Sequence, residues 1–253
     1  MVSNLNLFDH YSFRARLQPA LITLLPAAIG VFAWTGPGDK GMSALWTLLG
    51  TAGTTYFLAI TARNAGKQLE PKLWESWGGT PTTQLLRHSG PANPVLLERW
   101  HNQLARVVGV SLPTRDEETA DPKKADQVYE AAVRLQIGKT RDTKAFPLVY
   151  KELVHYGSCR NLFALRKLGI VVSVLGTVTS AGAGVWSPNL GKSFLTPWVC
   201  TAVCLSFLAW WVTAVKSAWV KVPAFAYAER LFESTEKVVR AKASKREDGT
   251  TDK

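Results

Sequence analysis

The sequence predicts an all-α integral membrane protein with four transmembrane helices in two hairpins and a helical cytoplasmic domain inserted between them. Two observations predict this fold. Four long apolar runs occur in two pairs, and a helix of roughly 20 apolar residues crosses about 30 Å of hydrocarbon. About a hundred polar, basic residues separate the two pairs. The runs are Leu17–Trp34, Ser43–Ala62, Leu168–Trp186 and Phe194–Val215.

The first hairpin is predicted over residues 17–62, after an N-terminal interfacial segment, residues 1–16. Pro19 and Pro26 fall at the start of the first span and inside it, where a proline removes a backbone hydrogen bond and kinks the helix. The second hairpin covers residues 168–215.

Small residues recur in the second and third spans. Such residues let helix backbones approach closely, so these spans are the expected packing interfaces. Three uses of the small residues stay open: packing within the chain, a subunit interface, or a pore-lining stripe. The residues are Gly50, Thr51, Gly53, Thr54 and Thr55 in the second span, and Gly169, Ser173, Gly176, Thr177, Ser180, Ala181 and Gly184 in the third.

The cytoplasmic domain, residues 63–167, is predicted to be helical. One helix begins at Asn93-Pro94 and ends at Gly109, and a second begins at Asp121-Pro122 after a capping box formed by Thr114 and Glu117. A third is expected over Pro147–Tyr156, ended by Gly157. An amphipathic cytoplasmic helix follows the last span over residues 216–241, and the polar tail, residues 242–253, is expected to be disordered.

Basic residues set the expected orientation. The chain carries 30 Lys and Arg and a formal charge of +11; 17 of them lie in Arg63–Lys167 and 9 follow Val215. Positively charged segments stay in the cytoplasm, so both termini and the inserted domain are expected there. The basic residues near span ends indicate anionic lipid headgroups as partner rather than nucleic acid. A homo-oligomer or a partner protein is also expected.

An unusual run connects the second span to the inserted domain. Gly78-Gly79 permits a sharp turn, Thr80 can cap a helix, and Pro81 suits its first position. The simple interpretation is a turn and a helix start. The alternative is an anion site with the amides of Thr82 and Thr83 at the helix N-terminus and Arg87 or His88 reaching in.

This run carries a resemblance. The pattern Trp77-Gly78-Gly79-x-Pro81-Thr82-Thr83-x-x-Leu86-Arg87-His88 resembles a family of uncharacterised bacterial four-span membrane proteins. The further matching elements are Arg99-Trp100-His101, Thr140-Arg141-Asp142, Tyr156-Gly157 and Arg160-Asn161. The resemblance implies a bacterial cytoplasmic (inner) membrane and a place in mobile or defence-related loci. It implies no activity. The chain departs from the family pattern at Ser158-Cys159, where an aromatic residue and an arginine are expected.

Candidate ligand-binding or coupling residues follow from this motif and its neighbours. They are Trp77, Gly78, Gly79, Thr80, Thr82, Thr83, Arg87, His88, His101 and Arg141. Two Glu-x-x-His pairs, Glu98 with His101 and Glu152 with His155, have the spacing found in di-iron bundles. They are only a weak alternative; no metal and no cofactor is favoured, and no catalytic residue is assigned.

The functional prediction is a non-enzymatic inner-membrane effector or channel-like component whose cytoplasmic domain senses a partner or an anionic ligand, in a defence or stress system. The spans lack intramembrane charge, which argues against an ion-coupled transporter. One alternative is an enzyme at the membrane face that uses a His/Glu cluster. Another is a passive scaffold for the product of a neighbouring gene. The segment Trp74–His88 is the expected coupling element.

Overall fold

The structure, a computed structural model, describes residues 12–35, 42–186 and 194–240; for residues 42–52 it describes the backbone alone. The regular structure in these ranges is entirely helical. A π-helical turn, Phe13–Leu17, leads into the first α-helix. The helices are α1 (Gln18–Thr35), α2 (Met42–Trp77), α3 (Pro81–Leu86), α4 (Pro94–Val108), α5 (Arg115–Ala120), α6 (Pro122–Lys139), α7 (Pro147–Trp186), α8 (Leu195–Thr213) and α9 (Ser217–Glu233).

Three helical stretches are long and apolar enough to cross a membrane: Phe13–Thr35, Pro147–Trp186 and Leu195–Thr213. They contain the predicted first and third spans and all but the ends of the predicted fourth span, Phe194–Val215. The predicted second span, Ser43–Ala62, lies in α2, and its side chains before Gly53 are outside the described residues. The connections between the spans, residues 36–41 and 187–193, are outside them too, as are residues 1–11 and the tail from residue 241.

The prediction of a separate helix that ends at Gly157 is wrong. α7 runs without interruption through 40 residues, and Gly157 is buried in its interior. A glycine ends a helix when it takes a left-handed conformation, and Gly157 is not among the glycines of positive φ. Its cost inside a helix, about 1 kcal/mol relative to alanine, is small beside the packing along a helix of this length.

The chain divides into two compact units. Unit 1 comprises Met1–Glu70 and Val154–Val220, and unit 2 comprises Pro71–Leu153 and Lys221–Lys253. α2, α7 and α9 each contribute residues to both. α2 continues as helix to Trp77, well past the end of the predicted second span.

Glycines bring the helices of unit 1 together. A Cβ atom on Gly30 of α1 would lie 3.2 Å from the Cα atom of Gly176 on α7, and a Cβ on Gly176 would collide with the carbonyl group of Pro26. Further along α7, Gly169 faces the indole ring of Trp211 and leaves no room for a side chain there. α7 therefore uses its small residues to approach α1 and α8 closely.

Two buried polar side chains of α7, Arg160 and Asn161, also lie in unit 1. The Arg160 guanidinium on α7 forms an ion pair with Glu70 on α2, whose carboxylate also accepts a hydrogen bond from the Tyr156 hydroxyl. The adjacent Asn161 donates its amide to the Ala15 carbonyl at 2.6 Å. Gly66 is required nearby because a Cβ atom there would collide with the Asn161 side chain.

Unit 2 is built from short, well-capped helices. Asn93 caps α4, Gly109 ends it in a left-handed conformation with φ 76°, Thr114 and Glu117 form the capping box of α5, and Asp121 caps α6. These features confirm the sequence predictions for the segment 93–122. A hydrophobic core holds the helices together; its members include Leu86, Trp100, Leu104, Tyr129, Val133, Leu231 and Phe232.

α9 belongs to this core through its second half. The predicted amphipathic helix is present as α9 followed by helical residues 235–240, with a turn at Ser234 between them. Leu231 and Phe232 are fully buried. The Gln136 side chain of α6 donates to the Ser234 hydroxyl at 3.2 Å, and Thr235 donates to Gln103 of α4 at 2.8 Å.

Candidate functional site

The Gly78-Gly79 turn forms as the sequence predicts. Gly78 and Gly79 have φ angles of 88° and 128°, a region that side chains with a Cβ atom rarely adopt. The Thr80 hydroxyl then accepts a hydrogen bond from the Thr83 amide at 3.2 Å, and Pro81 occupies the first position of α3. The simple interpretation of this run, a turn followed by a capped helix, is confirmed.

Arg87 connects this turn to α6. Its Nε and Nη2 atoms donate to the two carboxylate oxygens of Asp126 at 2.8 and 2.7 Å, and its Nη1 atom donates to the Gly78 carbonyl at 2.8 Å. The hydrogen bond to Asp126 is the main cause of a raised pKa of Arg87. A bidentate pair of this kind fixes both position and orientation, so Arg87 clamps the turn against α6.

The groups named for an anion site are largely engaged within the protein. The Thr83 amide is used by the Thr80 cap, and the Thr80 hydroxyl lies within hydrogen-bonding distance of those of Thr82, at 3.1 Å, and Thr83, at 2.8 Å. The Arg87 guanidinium faces a carboxylate. With six residues, α3 is also too short to provide a strong helix dipole.

The centre of the site is a carboxylate that the sequence analysis did not identify. Glu118 on α5 is 8 % exposed. Its oxygens accept hydrogen bonds from the His88 amide at 2.9 Å, the Tyr129 hydroxyl at 2.8 Å, and the amide and hydroxyl of Ser89 at 3.4 and 3.2 Å. Burial acts to raise the pKa of Glu118, but these donors together outweigh it, so the net pKa is lowered and the group stays ionised.

Two histidines lie beside this carboxylate. The rings of His88 and His101 are 4.9 Å apart, edge to face, and His101 is 5.7 Å from the Tyr129 ring. The Nε2 atom of His88 is 3.0 Å from the Pro113 carbonyl, and that of His101 is 2.7 Å from the Leu86 carbonyl. A carbonyl only accepts hydrogen bonds, so both Nε2 atoms carry the proton. Burial is the main cause of a lowered pKa of His101.

We call this group the Glu118 cluster. It joins the corner between α3 and α4 to α5 and α6, and the structure thus brings together three of the candidate residues, Arg87, His88 and His101. Its members are Arg87, His88, Ser89, His101, Glu118, Asp126 and Tyr129.

Other candidates lie elsewhere. Arg141 is exposed in the turn after α6, 15 residues beyond Asp126; most of that stretch is helix, which places it about 20 Å away. Trp77 is half-buried at the end of α2.

Among the residues that the structure describes, the Glu-x-x-His pairs do not form part of a metal centre. Glu98 is exposed on α4 and His155 is exposed on α7. Within the described ranges, no group of three or more His, Cys, Asp or Glu side chains could hold a metal ion. The pair Glu152 and His155 therefore gains no third ligand from the described residues.

A groove of about 320 Å³ lies beside the cluster, between the loop before α5, α5 itself and the start of α6. Its lining is mostly apolar, with Glu117, Asp121 and Lys124 at its polar parts. Both carboxylates already serve as helix caps, to the Thr114 and Lys124 amides. Arg87, His88 and His101 do not line this groove, so a molecule bound in it would not contact these titratable groups of the cluster.

Sequence reasoning missed Glu118, Asp126 and Tyr129. A signal existed for Tyr129, because it lies on the same face of α6 as the buried Ala125, Ala132 and Val133. Glu118 directly follows the capping box and appears on sequence as one more solvent-exposed acid. No protein-family model, curated protein or solved structure matches this chain.

Proposed function

We propose that this protein is a non-enzymatic component of a bacterial cytoplasmic membrane that assembles as a channel-like homo-oligomer. Four spans place both termini and unit 2 in the cytoplasm. Unit 2 responds to a partner or a small anionic ligand and alters the state of the spans, in a defence or stress system.

The main support is the different surroundings of the small residues on α7 and α2. On α7, Gly169 and Gly176 are covered by Trp211 and Pro26 of the same chain, and Gly184 is covered by Trp198. The Trp34 indole also donates to the Thr179 carbonyl at 2.9 Å. These contacts account for the small residues of α7 by packing within the chain.

On α2, one face near Gly53 has no such cover among the described residues, whereas Thr55 and Ala59 on another face are buried. A Cβ atom added to Gly53 would meet nothing within 4 Å, and Thr54, Phe57 and Thr61 are exposed. Gly53, Phe57 and Thr61 are four residues apart and lie on one helix face. Glycine and hydroxyl residues on a transmembrane helix favour contact with another helix over contact with lipid. This face is therefore the proposed contact between copies.

The arrangement of charge is consistent with the proposed orientation. Arg166 donates to the Trp211 and Val212 carbonyls, both at 3.2 Å, next to the end of α8. Lys167 directly precedes the predicted third span and Lys216 directly follows the predicted fourth span, and both side chains are exposed. Cations near a helix C-terminus are favourable, and such residues also suit a layer of anionic headgroups.

Crosslinking tests the proposed contact. Phe57→Cys places a thiol on the exposed face of α2, where the native side chain is 69 % exposed, and Leu58→Cys places one at a position that is 6 % exposed. The native cysteines are buried, so they give little background. We expect a disulfide-linked dimer in membranes from Phe57→Cys and none from Leu58→Cys. Equal crosslinking of both variants, or of neither, contradicts the assembly.

Induced expression with a membrane-potential dye tests the effector role. We expect depolarisation in the presence of the natural stimulus and none with Gly53→Leu, which fills the proposed contact. Unchanged potential and normal growth, with and without the stimulus, contradict an effector.

The enzyme alternative predicts a bound metal. Stoichiometric iron, manganese or zinc in the purified protein, lost in Glu98→Ala or His155→Ala, would favour it over the channel-like component. Co-purification of a partner without any effect on the membrane would favour the scaffold instead.

A further inference from the structure

Protonation of either histidine of the Glu118 cluster adds a second donor, at Nδ1, to a half-buried ring. Each uses Nε2–H to donate to a carbonyl, so the neutral form leaves Nδ1 without a proton. In the described part of the chain, Nδ1 of neither histidine has a hydrogen-bond partner. A proton added to either ring therefore creates a cation whose new donor has no acceptor among the described protein groups.

The surrounding charges decide how many protons the cluster accepts. From α5 the pair lies beside Glu118, and from α6 His101 lies beside Tyr129. Asp126 on α6 is paired with Arg87, which lies on the same corner as the histidines. Arg87 and Asp126 neutralise one another, which leaves the single negative charge of Glu118. A first proton on the histidine pair is balanced by Glu118, whereas a second places two cations 4.9 Å apart beside Arg87.

We propose that His88, His101 and Glu118 form a proton-responsive latch, which holds the α3–α4 corner against α5 and α6 at neutral pH and releases it on mild acidification. The latch lies entirely within unit 2, so it stands or fails independently of the channel-like assembly. If that assembly also exists, a current that lets protons into the cell would act back on unit 2 through this latch.

The direction of the pH effect follows from the protonation state that burial favours in the folded corner. The neutral form of His101 is favoured in the folded corner, so its contribution to stability is present above the pKa of an unfolded histidine, about 6.5, and is lost as the pH falls below that value. The lowered pKa of Glu118 keeps its carboxylate ionised in the same range. Release as the pH falls below about 6.5 thus belongs to His101, whose pKa burial lowers.

Hydrogen exchange on the full-length protein in lipid nanodiscs tests the latch. Protection of residues 87–92 is measured from pH 7.5 to pH 5.0 and corrected for the intrinsic pH dependence of exchange. We expect protection to fall at least about tenfold with a midpoint above pH 5, while the peptide that contains Gln136, in the core of the same unit, changes little.

Two variants assign the effect to the cluster. In the double variant His88→Gln with His101→Gln, each side chain keeps an N–H donor but cannot titrate, and protection should become independent of pH. His155→Gln removes an exposed histidine and should behave as wild type. Unchanged wild-type protection down to pH 5, or an equal loss in the double variant, overturns the proposal. Should the double variant fail to fold, a wild-type midpoint below about pH 4.5 assigns release to carboxylates and overturns it equally.

Discussion

Removal of the Glu118 carboxylate should destabilise unit 2 more than removal of any exposed acid on the same helices. Glu118→Ala leaves the Tyr129 hydroxyl and the His88 amide, which now donate at 2.8 and 2.9 Å, without an acceptor in a buried site. Each unsatisfied buried donor costs about 1–3 kcal/mol. Two such donors amount to about 3 kcal/mol, or a factor of roughly 100 in the equilibrium between closed and open forms.

The assay is hydrogen exchange of α6 in the full-length protein at pH 7.5, because exchange reports the opening of one unit without unfolding the whole chain. We expect protection of Pro122–Lys139 to fall about 100-fold in Glu118→Ala. Glu130→Ala is the matched control: it removes an exposed carboxylate from α6 itself, and a surface change of this kind costs less than about 0.5 kcal/mol. Equal protection in the two variants would refute the reasoning that Glu118 holds the corner.

Further predictions concern both units. Arg87→Ala should leave membrane insertion and expression near normal but abolish the biological effect. Because the Gly78-Gly79 turn loses its clamp to Asp126, its protection from hydrogen exchange should fall by about 10-fold. Full activity in this variant and in Gly79→Val would show that the segment is dispensable. Gly66→Val should reduce the yield of folded protein, since a side chain there collides with Asn161, whereas Gly53→Val should insert normally. Equal yields of the two variants in a fluorescence-detected gel-filtration assay would contradict this packing. The stability of the α3–α4 corner should fall as the pH drops below about 6.5, because the pKa of His101 is lower in the folded than in the unfolded state. A second loss should begin only below about pH 4.5, the ordinary pKa of a glutamate, because the pKa of Glu118 is lowered in the folded state. A corner whose protection rises on acidification would contradict both signs.

Local signals in the sequence predict local structure well in this chain. The caps Asn93, Thr114 and Asp121 and the turn at Gly78-Gly79 depend on neighbouring residues, and each is present as expected. Gly157 shows the limit of such signals. A glycine ends a helix only if the packing beyond it does not favour continuation, and residues far along α7 decide that.

The site was harder to predict because its contacts are distant in sequence. Arg87 and His88 stand out in their motif, but their partners Asp126 and Glu118 are 39 and 30 residues away. Hydrophobic periodicity reports which face of a helix is buried, and it places a charged residue such as Glu118 on the surface. Only the assembled corner, with its amide and hydroxyl donors, shows why this carboxylate is buried.

The most direct test of the channel-like assembly is a flux measurement on purified protein in liposomes that contain anionic lipid. We expect wild-type protein to release a trapped small ion, and Gly53→Leu, which blocks the open face of α2, to reduce that release at least tenfold without changing incorporation. Liposomes that remain tight with wild-type protein across the pH range 7.5 to 5.5, with and without the natural stimulus, would contradict the account.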